Sequence, residues 1–202
     1  MSYKLALISD PIDSLNPDTD SSIAMLTAAA KRGWQLYYIQ AQHLSLVNNK
    51  VTARASLISL TNDKRLWYAI ESTQDIALES MDVVLMRQDP PVNQEYIYNT
   101  HLLSRLDNVV IANDPQSLRS CNEKLFALEF ADLCPPTLVS SQRAQIKEFY
   151  QQHLEIVLKP INGLAGRSIF KLSATDANFA VIVEEITQNG KKAIIAQKFI
   201  PQ

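Results

Sequence analysis

Runs of apolar residues alternate with amphipathic segments through the first 120 residues of the chain. This alternation is typical of a parallel sheet flanked by helices, because each short apolar run has the length of a buried strand. The predicted strands are Lys4–Ser9, Leu36–Ile39, Val83–Met86 and Val109–Ala112. One helix is predicted from Ile23 and a second over Gln94–Leu106. These elements together predict a Rossmann-like α/β layer.

Two local signals refine this picture. Asp20–Ser22 precede the first helix with side chains that can accept hydrogen bonds from its free N–H groups, and Gly33 ends it. Leu44–Leu60 contains two alternating stretches around Asn48 and Asn49, and asparagine tolerates positive φ. We therefore predict an antiparallel excursion there.

A second unit is predicted after about residue 120. Residues 115–133 have helical spacing, with a helix over Asn122–Phe126 opening the new unit, and Pro135 and Pro136 then break the chain. The elements predicted next are a strand at Thr137–Val139, a helix at Ala144–His153, a hairpin within Glu155–Leu172, a helix at Asp176–Thr187 and a strand at Ala193–Ile200. The predicted domains are residues 1–121 and 122–202.

Composition excludes several classes of protein. The net charge of -2 and the scattered lysines and arginines argue against nucleic acid as a partner. No apolar stretch reaches the roughly 18 residues of a membrane span, and the first residues do not resemble a secretory signal. Cys121 and Cys134 have no C-x-x-C spacing, which fits a reducing compartment. We expect a cytoplasmic protein without a membrane partner.

The segment Glu155–Leu172 carries the clearest chemical signal. It places Lys159 in an apolar run, then Gly163 and Gly166 in a turn, then a second apolar run. Glycine lets backbone N–H groups approach an anion, and the lysine adds a fixed positive charge, so the segment could cover phosphates. An ordinary hairpin has the same pattern. Neither a Walker A loop nor a G-x-G-x-x-G fingerprint occurs in the chain.

Two further cations are candidates for anion binding. Lys124 lies in the first turn of the predicted helix at the start of the second unit, where a lysine is most often a solvated surface charge. Together with Lys159 it could neutralise nucleotide phosphates. Arg87 follows a buried strand at the edge where α/β sheets place ligands, and it could bind a carboxylate or form a structural ion pair. The three histidines lack metal-ligand spacing.

Several motifs in order resemble the bacterial glutathione synthetases of the ATP-grasp superfamily. They are Asp10–Ile12, Asp20–Ser22, Met86–Pro91, Asn113–Arg119, Cys121–Phe126, Leu158–Pro160 and Ala196–Pro201. The resemblance spans essentially the whole chain. It implies a Rossmann-like pre-ATP-grasp domain followed by the first α+β subdomain of an ATP-grasp module.

The resemblance also implies an activity. Members of this family use ATP to phosphorylate the terminal carboxylate of γ-glutamylcysteine, and the amine of glycine then displaces phosphate to give glutathione. Such enzymes use Mg²⁺ or Mn²⁺ with ATP, and the resemblance suggests a homo-oligomer. Cations are needed because a triphosphate and a carboxylate repel each other.

Site residues follow from the matched positions. The resemblance implies that Lys124 and Lys159 bind phosphates and that Gly163 to Ser168 form a mobile cover. It also implies that Gln197 to Ile200 form a strand edge whose backbone recognises adenine. The full set implied for ATP is Lys124, Lys159, Gly163, Gly166, Ser168, Gln197, Lys198, Phe199 and Ile200. The set implied for the dipeptide is Arg87, Asp20, Ser21 and Ser22.

Four positions depart from the family pattern. Asn162 stands where the family has an acidic residue, Ala165 where it has glycine, and Arg167 where it has a small residue. Gln88 replaces a basic residue. The role of the cover is expected to be retained, while its flexibility and closure are expected to differ from the family pattern.

The resemblance further implies roughly another hundred residues, the size of one more structural unit. Those residues would hold the metal ligands, so we expect an amino-terminal fragment that has no metal site of its own and does not catalyse ligation alone. Two alternatives stay open: another ATP-grasp ligase joining a different carboxylate and amine, and a non-catalytic nucleotide-binding or scaffold module.

Overall fold

The chain forms two compact units, Met1–Ser120 and Cys121–Gln202, in a computed structural model that describes residues 2–63, 65–163, 166 and 168–201. Each unit has its own sheet and its own apolar core. Across the described ranges, no helix has both the length and the apolar character needed to cross a membrane.

The first unit is built on one mixed sheet. Its strands are β1 (Lys4–Ser9), β2 (Gln35–Gln40), β3 (Leu44–Val47), β4 (Lys50–Leu60), β5 (Tyr68–Ala77), β6 (Val83–Met86) and β7 (Val110–Ala112). The strands β2, β1, β6 and β7 are neighbours in that order and run parallel. The strands β3, β4 and β5 add an antiparallel extension beside β2. The predicted parallel strands and the turn at Asn48 and Asn49, both at positive φ, are confirmed.

Three helices accompany this sheet: α1 (Ser21–Ala30), α2 (Gln94–Leu103) and α3 (Pro115–Ser120). Leu26 of α1 and Leu103 of α2 belong to separate apolar clusters, and alternate residues of β1 contribute to each cluster. The helices α1 and α2 therefore cover opposite faces of the sheet. The prediction that α2 continues to Leu106 is wrong, because the helix ends at a cap on Ser104.

Strand β5 is absent from the sequence prediction. Most of its ten residues are exposed, and its charged and polar side chains show no two-residue alternation. It forms because β4 offers a backbone partner along nearly its whole length, with a bulge at Leu57 and Ile58. Pairing of this kind leaves little trace in the apolar pattern.

A buried tyrosine holds the loop that follows β1. The Tyr38 hydroxyl donates to the carbonyl of Asp10 over 2.9 Å and accepts from the N–H of Ile12 over 3.0 Å. Burial raises the pKa of Tyr38 to about 12, so the hydroxyl keeps its proton for the first of these bonds at neutral pH. This pair of bonds fixes the chain at the carboxyl edge of the sheet.

We expect Tyr38→Phe to lower the free energy of unfolding by about 1–3 kcal/mol, because the buried N–H of Ile12 loses its acceptor. Urea denaturation measures the change. Tyr37→Phe is the matched control. Tyr37 is as buried as Tyr38, and its hydroxyl makes no hydrogen bond to any residue that the structure describes. Equal losses in the two variants would contradict this role for Tyr38.

The second unit is a four-stranded sheet with two helices. Its elements are β8 (Thr137–Ser140), α4 (Arg143–His153), β9 (Ile156–Pro160), β10 (Phe170–Leu172), α5 (Phe179–Ile186) and β11 (Ile194–Lys198). The strands lie in the order β10, β9, β11, β8, and all neighbours are antiparallel. Ile146 and Val183 of the helices pack on Ile156 and Leu158 of β9. Side chains alternate along a strand, so Lys159 lies on the face away from these helices.

The predicted helix over Asn122–Phe126 is wrong. The Asn122 side-chain carbonyl accepts hydrogen bonds from the backbone N–H groups of Lys124 and Leu125, each over 3.0 Å. These bonds cap the start of a single turn, which continues as a 3-10 helix over Phe126–Leu133 and not as an α-helix. A non-helical residue, Phe130, interrupts that helix.

Candidate functional site

In the first unit, the four residues predicted to bind the dipeptide lie together. Arg87 follows β6, and its side chain donates to the Ser21 hydroxyl over 2.8 Å and to the Ser22 hydroxyl over 3.3 Å. The Asp20 carboxylate caps α1 by accepting from the Ser22 N–H over 2.7 Å. The backbone N–H of Arg87 is tied to the carbonyl of Ile8 over 2.7 Å. The structure therefore brings these four residues close together.

This cluster has the chemistry of a carboxylate site. Within the described part of the chain, the Arg87 guanidinium has no ion pair, and its contacts are two neutral hydroxyl groups. A guanidinium fork binds a carboxylate through two parallel hydrogen bonds, and the amino terminus of α1 adds positive potential. A ligand carboxylate could replace the serine hydroxyls without breaking a salt bridge.

The neighbouring residues supply negative charge and acceptors. The Asp89 backbone N–H donates to the Asp10 carboxylate over 2.8 Å, which joins the ends of β6 and β1. The side-chain carbonyl of Gln88 is buried and has no hydrogen-bond partner among the residues that the structure describes. Burial raises the pKa of Tyr96, while the positive charge of Arg87 acts in the opposite direction. The sequence prediction did not include Asp10, although Asp10 belongs to one of the motifs that carry the family resemblance.

In the second unit, Lys159 is held by a glutamine from the neighbouring strand. Its ammonium donates to the side-chain carbonyl of Gln197 over 2.6 Å. Lys159 is half-buried in β9 and Gln197 half-buried in β11. An ammonium group carries three donors, and a single neutral acceptor leaves its charge available for an anion.

Lys124 contacts the turn that follows β9. Its ammonium donates to the carbonyl of Gly163 over 2.7 Å and also pairs with the carboxylate of Glu123. The Lys124 side chain is only 18% exposed, so it is not an ordinary solvated surface lysine. Both predicted phosphate-binding lysines therefore contact or belong to the hairpin of β9 and β10.

The predicted cover is described in part. Gly166 has φ +74°, and a Cβ at this position would meet no neighbouring atom, so backbone conformation rather than space favours glycine there. Ser168 also has positive φ, at 57°. The predicted departures at Ala165 and Arg167 lie outside the described residues. Asn162 lies in a turn and is exposed.

The prediction that Gln197 to Ile200 form a strand edge is wrong in geometry. The strand β11 is paired on both sides, by β9 and by β8. The backbone N–H of Lys198 donates to Pro136 and that of Phe199 to Glu155, each over 2.9 Å. The Lys171 ammonium covers the Phe199 ring at 3.6 Å. Ile200, which follows β11, is exposed.

Metal ligands are a separate question. Over the residues that the structure describes, no group of three or more histidine, cysteine, aspartate or glutamate side chains could hold a metal ion.

Solved structures with the same fold define the class. A RimK domain ATP-grasp protein from Sphaerobacter thermophilus matches with a TM-score of 0.60 and 20% identity, covering 98% of this chain and 64% of that one. D-alanyl-alanine synthetase A from Vibrio cholerae matches with a TM-score of 0.61 and 10% identity. The match covers 99% of this chain and 60% of that protein. The fold is that of the ATP-grasp ligases.

Sequence comparison identifies the family. The model of the prokaryotic glutathione synthetase N-terminal domain matches residues 3–119, and the model of the ATP-grasp domain of the same enzymes matches residues 123–202. This chain belongs to the prokaryotic glutathione synthetase family.

Individual relatives agree with this assignment. The glutathione synthetase of Photorhabdus laumondii is 44% identical over 200 residues, which cover 98% of this chain and 63% of the relative. That of Vibrio vulnificus is 43% identical over 203 residues, which cover 100% of this chain and 64% of the relative. The chain thus spans a little under two thirds of the length of these relatives.

Proposed function

We propose that this chain carries the dipeptide-binding and part of the ATP-binding machinery of a glutathione synthetase. The reaction joins γ-glutamylcysteine to glycine with conversion of ATP to ADP and phosphate. The observation that carries the proposal is the consecutive match of the two family models over residues 3–119 and 123–202.

Charge complementarity supports specific roles. We assign a carboxylate of the dipeptide to Arg87, which is positively charged and bonded to two neutral serines. We assign the ATP phosphates to Lys159, whose partner Gln197 is neutral, and to Lys124, whose ammonium donates to the Gly163 carbonyl and also pairs with the Glu123 carboxylate. The turn containing Gly163, Gly166 and Ser168 covers those phosphates. We assign the purine side to Gln197, Lys198, Phe199 and Ile200, of which Ile200 has an exposed apolar side chain.

The proposed reaction has two balanced steps. The cysteinyl carboxylate attacks the γ-phosphorus of ATP and releases ADP, which leaves an acyl phosphate. The glycine amine then attacks the acyl carbon, phosphate departs with the C–O bonding pair, and the amine nitrogen loses a proton. Cationic side chains lower the repulsion between the carboxylate and the triphosphate in the first step.

Cofactor, assembly and location complete the proposal. Mg²⁺ or Mn²⁺ accompanies ATP. The ATP-grasp ligase PsnB, which has a related fold, has been solved in complex with its minimal precursor, Mg and ADP. The described side chains of this chain do not form the ion's site, so no role in it is assigned to them. We propose a cytoplasmic homo-oligomer, since reduced thiol substrates belong to a reducing compartment.

Product analysis tests the proposed function. The full natural chain that carries this sequence is incubated with ATP, Mg²⁺, γ-glutamylcysteine and glycine, and glutathione, ADP and phosphate are measured. The proposal expects equal amounts of all three, no ADP when the dipeptide is omitted, and at most about one ADP per enzyme when glycine is omitted. Replacing the dipeptide with D-alanine separates this activity from that of other ATP-grasp ligases. Ligation of D-alanine in preference to the dipeptide would refute it.

A further inference from the structure

Three polar side chains form a hydrogen-bonded row on the face of the second sheet that lies away from α4 and α5. Thr137 of β8, Gln197 of β11 and Lys159 of β9 come from three neighbouring strands, and Gln197 is paired directly with Thr137. The side-chain amide of Gln197 donates to the Thr137 hydroxyl over 3.0 Å and accepts from the Lys159 ammonium over 2.6 Å. The Thr137 hydroxyl donates to the carbonyl of Pro135 over 2.7 Å.

The directions of these hydrogen bonds are consistent from both ends, because the Lys159 ammonium can only donate. A threonine hydroxyl has one proton, and here that proton goes to the Pro135 carbonyl. The hydroxyl oxygen must then accept from Gln197, so the amide N–H₂ group faces Thr137. The amide carbonyl consequently faces Lys159, where it can accept from an ammonium group.

The Lys159 ammonium can only donate, so it also favours an amide carbonyl that faces it. What Thr137 adds is a second anchor, because its hydroxyl accepts from the other end of the same amide. Without that anchor the Gln197 side chain is held at one end only, and the Lys159 ammonium loses a fixed acceptor. The threonine therefore acts on the lysine through the glutamine.

We infer that Thr137 is a positioning residue for nucleotide binding: it orients Gln197 so that the Lys159 ammonium is held with its remaining donors directed at phosphate. This inference rests on the proposed function, because it takes Lys159 as a phosphate ligand. Thr137 itself touches neither nucleotide nor substrate. It sets the affinity for ATP and leaves the affinity for the dipeptide unchanged.

The test compares Thr137→Val with Thr137→Ser in the full natural chain, with ATP binding in Mg²⁺ measured by calorimetry. Valine has the shape of threonine but no hydroxyl, and we expect ATP to bind about tenfold more weakly, the size of one lost bond to a charged group. Serine keeps the hydroxyl and should bind ATP within about twofold of the wild type. The KM for γ-glutamylcysteine should be unchanged in both. Thr175→Val, at an exposed threonine of the same unit, is the control and should have no effect.

A second comparison excludes a merely structural role. Thr137→Val is repeated in a Lys159→Met background, where it should add less than about a twofold loss because the lysine it positions is gone. The inference would be overturned if Thr137→Val lost the same ATP affinity with and without Lys159, or if the valine and serine variants lost equal ATP affinity. If Thr137→Val does not fold, Thr137→Ala removes the same hydroxyl, and its effect must likewise depend on Lys159. A wild-type chain that binds ATP but makes no glutathione would overturn the proposed function alone, and one that does not bind ATP would overturn both.

Discussion

Replacing Lys159 with methionine is expected to weaken ATP binding about a hundredfold, because the phosphates lose a fixed positive charge with its hydrogen bonds. Lys159 is half-buried on the open face of the second sheet, and its partner Gln197 is neutral. Methionine keeps the length and apolar stem of lysine, so packing along β9 is preserved. The KM for ATP measures the effect, with γ-glutamylcysteine and glycine saturating.

Lys147→Met is the matched control for this prediction. Lys147 is exposed on α4, whose buried residues Ile146 and Tyr150 pack on the other face of the sheet. Removing its charge should change the KM for ATP less than about twofold, since an exposed charge beyond a Debye length of about 10 Å is screened. Similar increases in the two variants would mean that overall charge, rather than Lys159, attracts the nucleotide.

Replacing Arg87 with methionine is expected to raise the KM for γ-glutamylcysteine about a hundredfold and to leave the KM for ATP unchanged. The guanidinium is the cation that Ser21 and Ser22 hold at the carboxyl edge of β6, and its loss removes a two-point contact to carboxylate. Arg87→Lys should recover part of this loss, because lysine keeps the charge but not the fork. Steady-state kinetics with each substrate varied in turn separate the two KM values.

Arg54→Met provides the comparison for Arg87. Arg54 forms an exposed ion pair with Asp75 between β4 and β5, and such pairs contribute little to stability. This variant should retain both KM values. An Arg87→Met enzyme with an unchanged KM for the dipeptide would remove Arg87 from the proposed site.

Most strands, and their order along the chain, were predictable because apolar runs and helix caps are local features of the sequence. Each parallel strand of the first unit is a short apolar run, and α1 begins at Asp20 with a side-chain cap that the sequence displays. Strand β5 was not predictable, since its pairing with β4 depends on backbone hydrogen bonds rather than on apolar alternation. The turn at Asn122 resembles a helix start, since one side chain accepts from two backbone N–H groups, but the chain continues as a 3-10 helix.

The charged residues of the candidate site were predictable, and their partners were not. Lys159 and Arg87 stand out because each accompanies a buried strand. Gly163 as the acceptor for Lys124, and Thr137 and Gln197 as the support of Lys159, depend on strand register over separations of 38 to 60 residues. Register of this kind is set by the packed sheet as a whole and is not visible in any one segment.

If Lys124 and Lys159 bind the phosphates of ATP, their removal should abolish the preference of the protein for ATP over adenosine. Calorimetry compares the two ligands, in Mg²⁺, for the wild-type full natural chain and for a Lys124→Met, Lys159→Met double variant. We expect the wild type to prefer ATP strongly and the double variant to bind ATP and adenosine with nearly equal affinity. An undiminished preference for ATP in the double variant would show that these lysines do not bind the phosphates.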